Sequence, residues 1–359
     1  MKSSAGQMLA EVPDGVANPR PKVEPGSPIC HPPGWSQLAL ERRCGSCYEM
    51  TTTPPPEFHH TSILLTRCEK EGTAGRANIS NEMSTNPLVS VCIPTYRGEV
   101  HIAECIRSVL AQKFKNFELV IVDDSSPDRT AEVVRSFVDP RVRLICNPTN
   151  LGPEGNWNRC RQEARGRYFK LLPQDDILHP ECLRRQVAVL EADVEREIAL
   201  VFNARRVINA SGLLQAVRGY PRRGSGRVQR ATLIRQCLRR GTNLIGEPGC
   251  VLMRRELAER VGPFSAAFPY VIDLEYWFRL LLQGGDAWYV DEVLTSFRVS
   301  RDQWSVSIGS RQSKDFSRWI KHISGCAGYN VTRLDAYIGY VMGQVNSTLR
   351  QLYYCLALR

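Results

Sequence analysis

Two neighbouring carboxylates, Asp175 and Asp176, follow almost directly on Leu171 and Leu172 in the stretch YFKLLPQDDILHP. Ionised carboxylates beside a core cost free energy unless something cationic meets them. A divalent cation meets that need, since Mg²⁺ and Mn²⁺ take oxygen ligands, use only one or two side chains and accept the rest from phosphates and water. A second acidic pair, Asp123 and Asp124, closes the run FELVIV, and Pro94, Thr95 and Tyr96 close LVSVCI. Taken alone, Pro173, Gln174 and the Asp pair also make an ordinary turn. Three polar tips after three separate apolar runs are what argue for a site.

Those tips need strands behind them, and the pattern supplies them. LVSVCIP is a short β-branched run, EVHIAECIRSVLAQ carries Ile102, Cys105, Ile106, Val109 and Leu110 at helical spacing, and FELVIVDD is a second buried strand. RTAEVVRSFV, VRLICN, GNWNRCRQEAR and YFKLL continue the alternation as helix, strand, helix and strand. The expected fold class is therefore α/β, a mostly parallel central sheet with helices on both faces. In such sheets ligands gather at the carboxyl ends of the strands, where all three polar tips fall. A dinucleotide-binding G-x-G-x-x-G is absent from PTYRGE, so a pyrophosphate bound here needs neutralising some other way.

The segments VSVCIPTYRGEVHIAECIRSVLAQKFKNFELVIVDDSSPDRT, NLGPEGNWNRC and KLLPQDDILHPECL, in that order, resemble the nucleotide-sugar-binding half of the inverting family 2 glycosyltransferases with the GT-A fold. The resemblance runs from about residue 88 to 300 and implies a nucleoside-diphosphate sugar donor, UDP- or dTDP-linked. It implies further that Pro94, Thr95, Tyr96 and Asp124 hold base and ribose with Asp123 in support, and that Asn156 and Asp175 lie in the donor site. Tyr96 can stack on a base, and an Asp can accept the imino N–H of uracil or thymine. The family's D-x-D signature falls on Pro173, Gln174 and Asp175, so its first Asp is a proline here. Asp175 and Asp176 are left to divide the work on Mn²⁺ or Mg²⁺, and which of them touches the ion stays open.

NLIGEPGCVLMRRELAERVGPF and YVIDLEYWFRLLLQGG resemble the acceptor half of the same family, which implies Asp273 as the base that takes the acceptor hydroxyl's proton. Asp273 would also suit a helix cap, and one residue can do both. Glu247 is a second acid near the acceptor. Ser300 stands where relatives often carry a His that serves the metal or diphosphate, so Arg298, Arg301 or Ser300 is expected to hold the diphosphate. RDQW is not the Q-x-x-R-W of processive synthases, and no apolar run reaches about 18 residues, which favours single addition. A sugar-nucleotide pyrophosphorylase would want a Gly- and Lys-rich loop after the first strand, which PTYRGE lacks; a nucleotide-binding member without turnover is the other alternative, raised by Pro173.

The chain has 359 residues, an apolar fraction of 43% and a net charge of +10, which allows a real core and points to an anionic partner. Residues 1–82, dense in Pro and small polar residues, read as a disordered extension without a signal peptide, and Met83 reads as a candidate native start that mass spectrometry of the N-terminus would test. Residues 83–300 read as the glycosyltransferase domain, divided into 83–185 for the nucleotide sugar and 186–300 for the acceptor, and 301–359 as C-terminal helices. The thirteen cysteines are scattered, which argues for a reducing, cytoplasmic setting. Cys44 and Cys47 in CGSC have metal spacing, with His59, His60 and Cys68 nearby, but no second pair completes a zinc site. Residues 203–246 hold ten arginines and no acid, a number equal to the net charge. They read either as a solvated face or as attraction to anionic lipid or a lipid-linked acceptor, with peripheral association at the inner face of a membrane; no aromatics interleave with them to indicate nucleic acid.

Overall fold

The computed structural model describes residues 86–300, 309, 311–326 and 328–357. The expected extension, the CGSC pair, Met83 and Arg301 lie outside the described residues. The sheet begins with β1 (Val89–Thr95), β2 (Phe117–Asp123), β3 (Val142–Cys146) and β4 (Tyr168–Leu171), all parallel in the order β3-β2-β1-β4. Helices α1 (Ile102–Leu110), α2 (Thr130–Arg135) and α3 (Gly152–Glu163) make the crossovers. Side chains alternate across the sheet as a pleat requires. Val89, Val91 and Ile93 of β1 join one core with α1 and α4 (Cys182–Ala192), while Cys92 joins the other with α3 and α7 (Ile272–Gly284). Two cores on two faces of one sheet give the three-layer α/β architecture that the sequence pattern indicates.

Past β4 the sheet becomes mixed. β9 (Val251–Arg254) pairs antiparallel with both β4 and β6 (Ile198–Asn209), and β6 runs parallel to the long β10 (Asp286–Val299). Three short strands, β5 (Ile177–Leu178), β7 (Leu214–Arg218) and β8 (Gly226–Val228), add antiparallel edges. The antiparallel β9 carries the acceptor-half loop NLIGEPG across to the tip of β4, bringing the two halves together at one end. α5 (Arg230–Arg240), α6 (Arg255–Val261), α8 (Arg311–Ser324) and α9 (Arg333–Ala357) complete the helices. No helix among the described residues is long and apolar enough to cross a membrane.

The arginines of 203–246 fall into two groups. Arg205 is buried against Glu247, Arg227 bridges Glu197 and Asp286, and Arg235 and Arg239 meet Asp335, so acids from elsewhere in the chain answer four of them. The other six, Arg206, Arg218, Arg222, Arg223, Arg230 and Arg240, are exposed.

Candidate active site

The tips of β1 and β4 are joined by a side chain that the sequence reading did not single out. Gln174 accepts the Tyr96 backbone N–H at 2.9 Å, donates to the Tyr96 carbonyl at 3.0 Å and meets the Thr95 hydroxyl. Thr95 is thereby buried, while Tyr96 stays 41% exposed with the Arg97 guanidinium 5.3 Å from its ring centre. Of the first-strand tip, Tyr96 is the residue left open to a ligand's π-face. Gln174 lies between the two D-x-D positions, where a family pattern calls any residue acceptable.

Asp123 and Asp124 act inward. The Asp123 carboxylate accepts the Ser126 N–H at 3.1 Å and its hydroxyl at 2.6 Å. Asp124 accepts from Asn147 and the Leu151 N–H at 2.8 Å each and from the Gly152 N–H at 2.9 Å, and it is 2% exposed. It therefore clamps the start of α3 to the tip of β2. Asn156, also buried, donates to the Val122 carbonyl at 3.1 Å and accepts from Asn147 at 3.1 Å. Asn156 holds strand tips together from below.

Asp175 and Asp176 are separated by burial. Asp176 is fully buried; its Oδ1 accepts the Arg298 backbone N–H at 3.1 Å and its Oδ2 has no hydrogen-bond partner among the described residues. Burial, and then the neighbouring Asp175 charge, pushes its pKa well above the usual carboxylate range. Asp175 is partly exposed at the carboxyl end of the sheet and gives its backbone carbonyl to Arg298 Nε at 3.0 Å. No cluster of three or more His, Cys, Asp or Glu that could cage a metal occurs among the described residues. Two adjacent acids, one with an unsatisfied oxygen, fit instead a cation whose remaining ligands come from a diphosphate. His101 at the head of α1 lies within the fields of Asp175 and Arg298; burial, then Arg298, lowers its pKa.

Arg298 is not free for a diphosphate. Its guanidinium is 2% exposed and donates to the Asp175 carbonyl, to the Ala210 carbonyl at 2.9 Å and to Glu104 Oε2 at 2.6 Å. Its place in the motif is legible in sequence; its commitment to carbonyls of two other segments and to the Glu104 carboxylate is not.

The acceptor-half loop passes directly beside Asp176. A Cβ at Gly249 would sit 3.2 Å from Asp176 Oδ2 and 3.1 Å from Leu172, so glycine permits this approach. Two residues earlier Glu247 pairs with buried Arg205. Four residues before that, Asn243 donates to the Gly246 carbonyl at 3.0 Å and to Asp273 Oδ2 at 2.9 Å. Trp277 Nε1 donates to the same Gly246 carbonyl at 3.2 Å, fixing the loop to α7. Asp273 sits in the first turn of α7, half-buried, with the Leu274 N–H 2.7 Å from its Oδ1. Burial first, with help from Glu247, raises its pKa to about 7 against the pull of the Leu274 and Asn243 hydrogen bonds. The loop 243–249 thus meets Asp176 at Gly249 and the expected base Asp273 at Asn243.

Residues 90–262 match the family model for glycosyl transferase family 2. An uncharacterized protein of Mycobacterium tuberculosis is 34% identical over 213 residues, covering 57% of this chain and 66% of that protein. The UDP-Glc:alpha-D-GlcNAc-diphosphoundecaprenol beta-1,3-glucosyltransferase WfgD of Escherichia coli is 27% identical over 234 residues, 64% of this chain and 83% of the relative. Among solved structures, S. aureus TarS 1-349 in complex with UDP-GlcNAc superposes with a TM-score of 0.53 at 20% identity, covering 76% of each chain. The chain spans just under two thirds of the Mycobacterium relative's length. With the matched motifs, the α/β architecture and these relatives in agreement, residues 90–262 form a domain of the glycosyl transferase family 2 type, and the described structure carries the GT-A fold of these glycosyltransferases.

Proposed function

We propose that the protein transfers one sugar from a nucleoside-diphosphate sugar, UDP- or dTDP-linked, to a hydroxyl of a saccharide or lipid-linked acceptor, with inversion at the anomeric carbon. Asp273 carries this reading. A carboxylate with a pKa of about 7 suits a general base near neutral pH, and it stands one loop away from the acids that face the donor. Asp273 takes the acceptor hydroxyl's proton as that oxygen bonds to the anomeric carbon. The bond from that carbon to the diphosphate oxygen breaks, and its electron pair leaves with the diphosphate. Asp175, the more exposed of the pair, would hold a divalent cation, which when bound neutralises charge on the departing diphosphate. Asp176 supports it from beneath, and Tyr96 offers its ring to the base. The name of the Escherichia coli relative, with a UDP-linked donor and a lipid-linked acceptor, and the UDP-GlcNAc held by TarS support the donor and acceptor classes.

The test is transfer and hydrolysis with UDP-, dTDP- and GDP-sugars in Mn²⁺, Mg²⁺ or EDTA, for the wild type and Asp273→Asn, with the product's anomeric configuration read by NMR. The expected result is metal-dependent release of one nucleoside diphosphate, an inverted product and a loss of roughly 10²–10⁴ in kcat for Asp273→Asn with donor binding kept. A donor that binds without turnover, unaffected by Asp273→Asn, overturns the catalytic reading in favour of nucleotide binding alone.

A further inference from the structure

Helix α9 turns an apolar side outward. Leu334, Tyr337, Val341, Val345, Leu349 and Leu352 recur at helical spacing along one face and are 41–68% exposed. The opposite face does the packing. A Cβ at Gly339 would lie 2.8 Å from the Leu238 carbonyl of α5 and 3.0 Å from Ile320 of α8, and Asn346 donates to the Arg240 and Gly241 carbonyls at 2.6 and 3.1 Å. The exposed stripe is therefore the side left over after α9 has docked on α5 and α8.

Charge on those two supporting helices identifies what the stripe meets. Arg311, Lys314, Arg318 and Lys321 form an exposed row on α8 at spacings of three and four, Arg318 also meeting buried Asp315, and on α5 Arg240 is exposed beside Arg235 and Arg239, two cations that share the one carboxylate of Asp335. The acids of all three helices are Asp315 and Asp335, and both are buried. Near the end of α9, the Tyr353 hydroxyl lies 3.5 Å from Gln215 on β7, a strand on which Leu214 and Val217 are also exposed and Val217 stands opposite exposed Arg206. An exposed apolar stripe on a helix whose two supporting helices carry exposed cations, with no exposed acid on any of the three, is the chemistry of a helix that lies in an anionic bilayer interface. The helix does not qualify as a membrane span. A second copy fits less well, because a two-fold contact through α9 would bring the α8 and α5 cations of both copies together.

We propose that α9 is an interfacial helix that docks the protein on an anionic phospholipid surface, with its apolar stripe entering the headgroup boundary and the α8 and α5 cations meeting lipid phosphates. This goes beyond the transfer chemistry and would hold equally for a protein that bound a nucleotide without turning it over. The full chain is tested by co-sedimentation with phosphatidylcholine vesicles and with vesicles containing about one third phosphatidylglycerol. The wild type is expected to sediment with the anionic vesicles, more weakly as salt rises. Val341→Asp with Val345→Asp should lose binding at least about tenfold with unchanged Tm, and Lys314→Glu with Arg318→Glu should weaken binding and flatten its salt dependence. Should the first pair lower Tm, Tyr337→Ser with Leu349→Gln, further along the same stripe, replaces it. No vesicle binding by the wild type, or undiminished binding by the stripe variants, overturns the proposal. A wild-type dimer that becomes monomeric in the stripe variants without any vesicle binding overturns it in favour of a second copy.

Discussion

Asp273 is a single residue whose environment makes two measurable claims. Burial raises its pKa from 3.8 to about 7, so between those values the folded chain binds a proton that the unfolded chain has released. Stability from this group therefore falls as pH rises from about 4 through about 7, the reverse of an ion-paired acid. Asp273→Asn, neutral at every pH, should unfold at a higher temperature than the wild type near pH 8, by an amount on the order of 1 kcal/mol, and show little difference near pH 4. In the active protein kcat/KM should rise with pH to a plateau above about 7. Glu247→Gln removes a negative neighbour that helps raise this pKa, so the rising limb should move to lower pH; an unmoved limb would mean that another group limits the rate. Asp273 was legible in sequence because it opens a helix in a motif. The tie made by Gln174 and the inward bonding of Asn156 and Asp124 were not, because their partners lie from 27 to 79 residues away or on neighbouring strand tips.

At the scale of elements, periodicity alone revealed β1 to β4 and their crossovers, because a two-faced buried strand and an amphipathic helix leave different spacings. α2 stops at Arg135, shorter than its apolar pattern, and Phe137 packs from beyond its end. The antiparallel β9 was invisible as such: VLMR reads only as a buried strand, and its direction depends on pairing with β4 and β6. That direction matters, since it sets NLIGEPG beside Asp176. The same limit hid the work of Arg298, which ties β10 to the β4 tip, to α1 through Glu104 and to the turn after β6. Arg298→Met should cost about 3 kcal/mol in denaturant unfolding, because several carbonyls and Glu104 lose a buried cation, and donor affinity should fall with it. A variant of wild-type stability that loses only donor affinity would return Arg298 to the diphosphate role that its motif position implies.

For the molecule as a whole, the question is how firmly the last helix is joined to the catalytic domain. α5 ends on Gly241 in the left-handed region at φ 60°, and α9 crosses there so closely that a Cβ would lie 2.4 Å from the Gly343 nitrogen and 2.5 Å from the Met342 carbonyl carbon. Sequence shows a glycine where a helix should stop; it does not show that a backbone more than 100 residues later occupies the space beside it. Gly224 supplies the comparison, with φ 76° and nothing within 4 Å of an added Cβ. Gly224→Ala should cost only the strain of its backbone, about 1 kcal/mol. Gly241→Ala should cost that and a further 1–3 kcal/mol or so for the clash, since the atoms it meets are backbone and can move only if α9 lifts. Thermal unfolding of the two variants, with limited proteolysis across residues 325–333, reads the difference: early cleavage in Gly241→Ala alone marks a displaced α9. Equal costs and equal resistance would mean that α9 is held elsewhere along its length, and its separation from α5 would then leave the site at Asp175, Asp176 and Asp273 undisturbed.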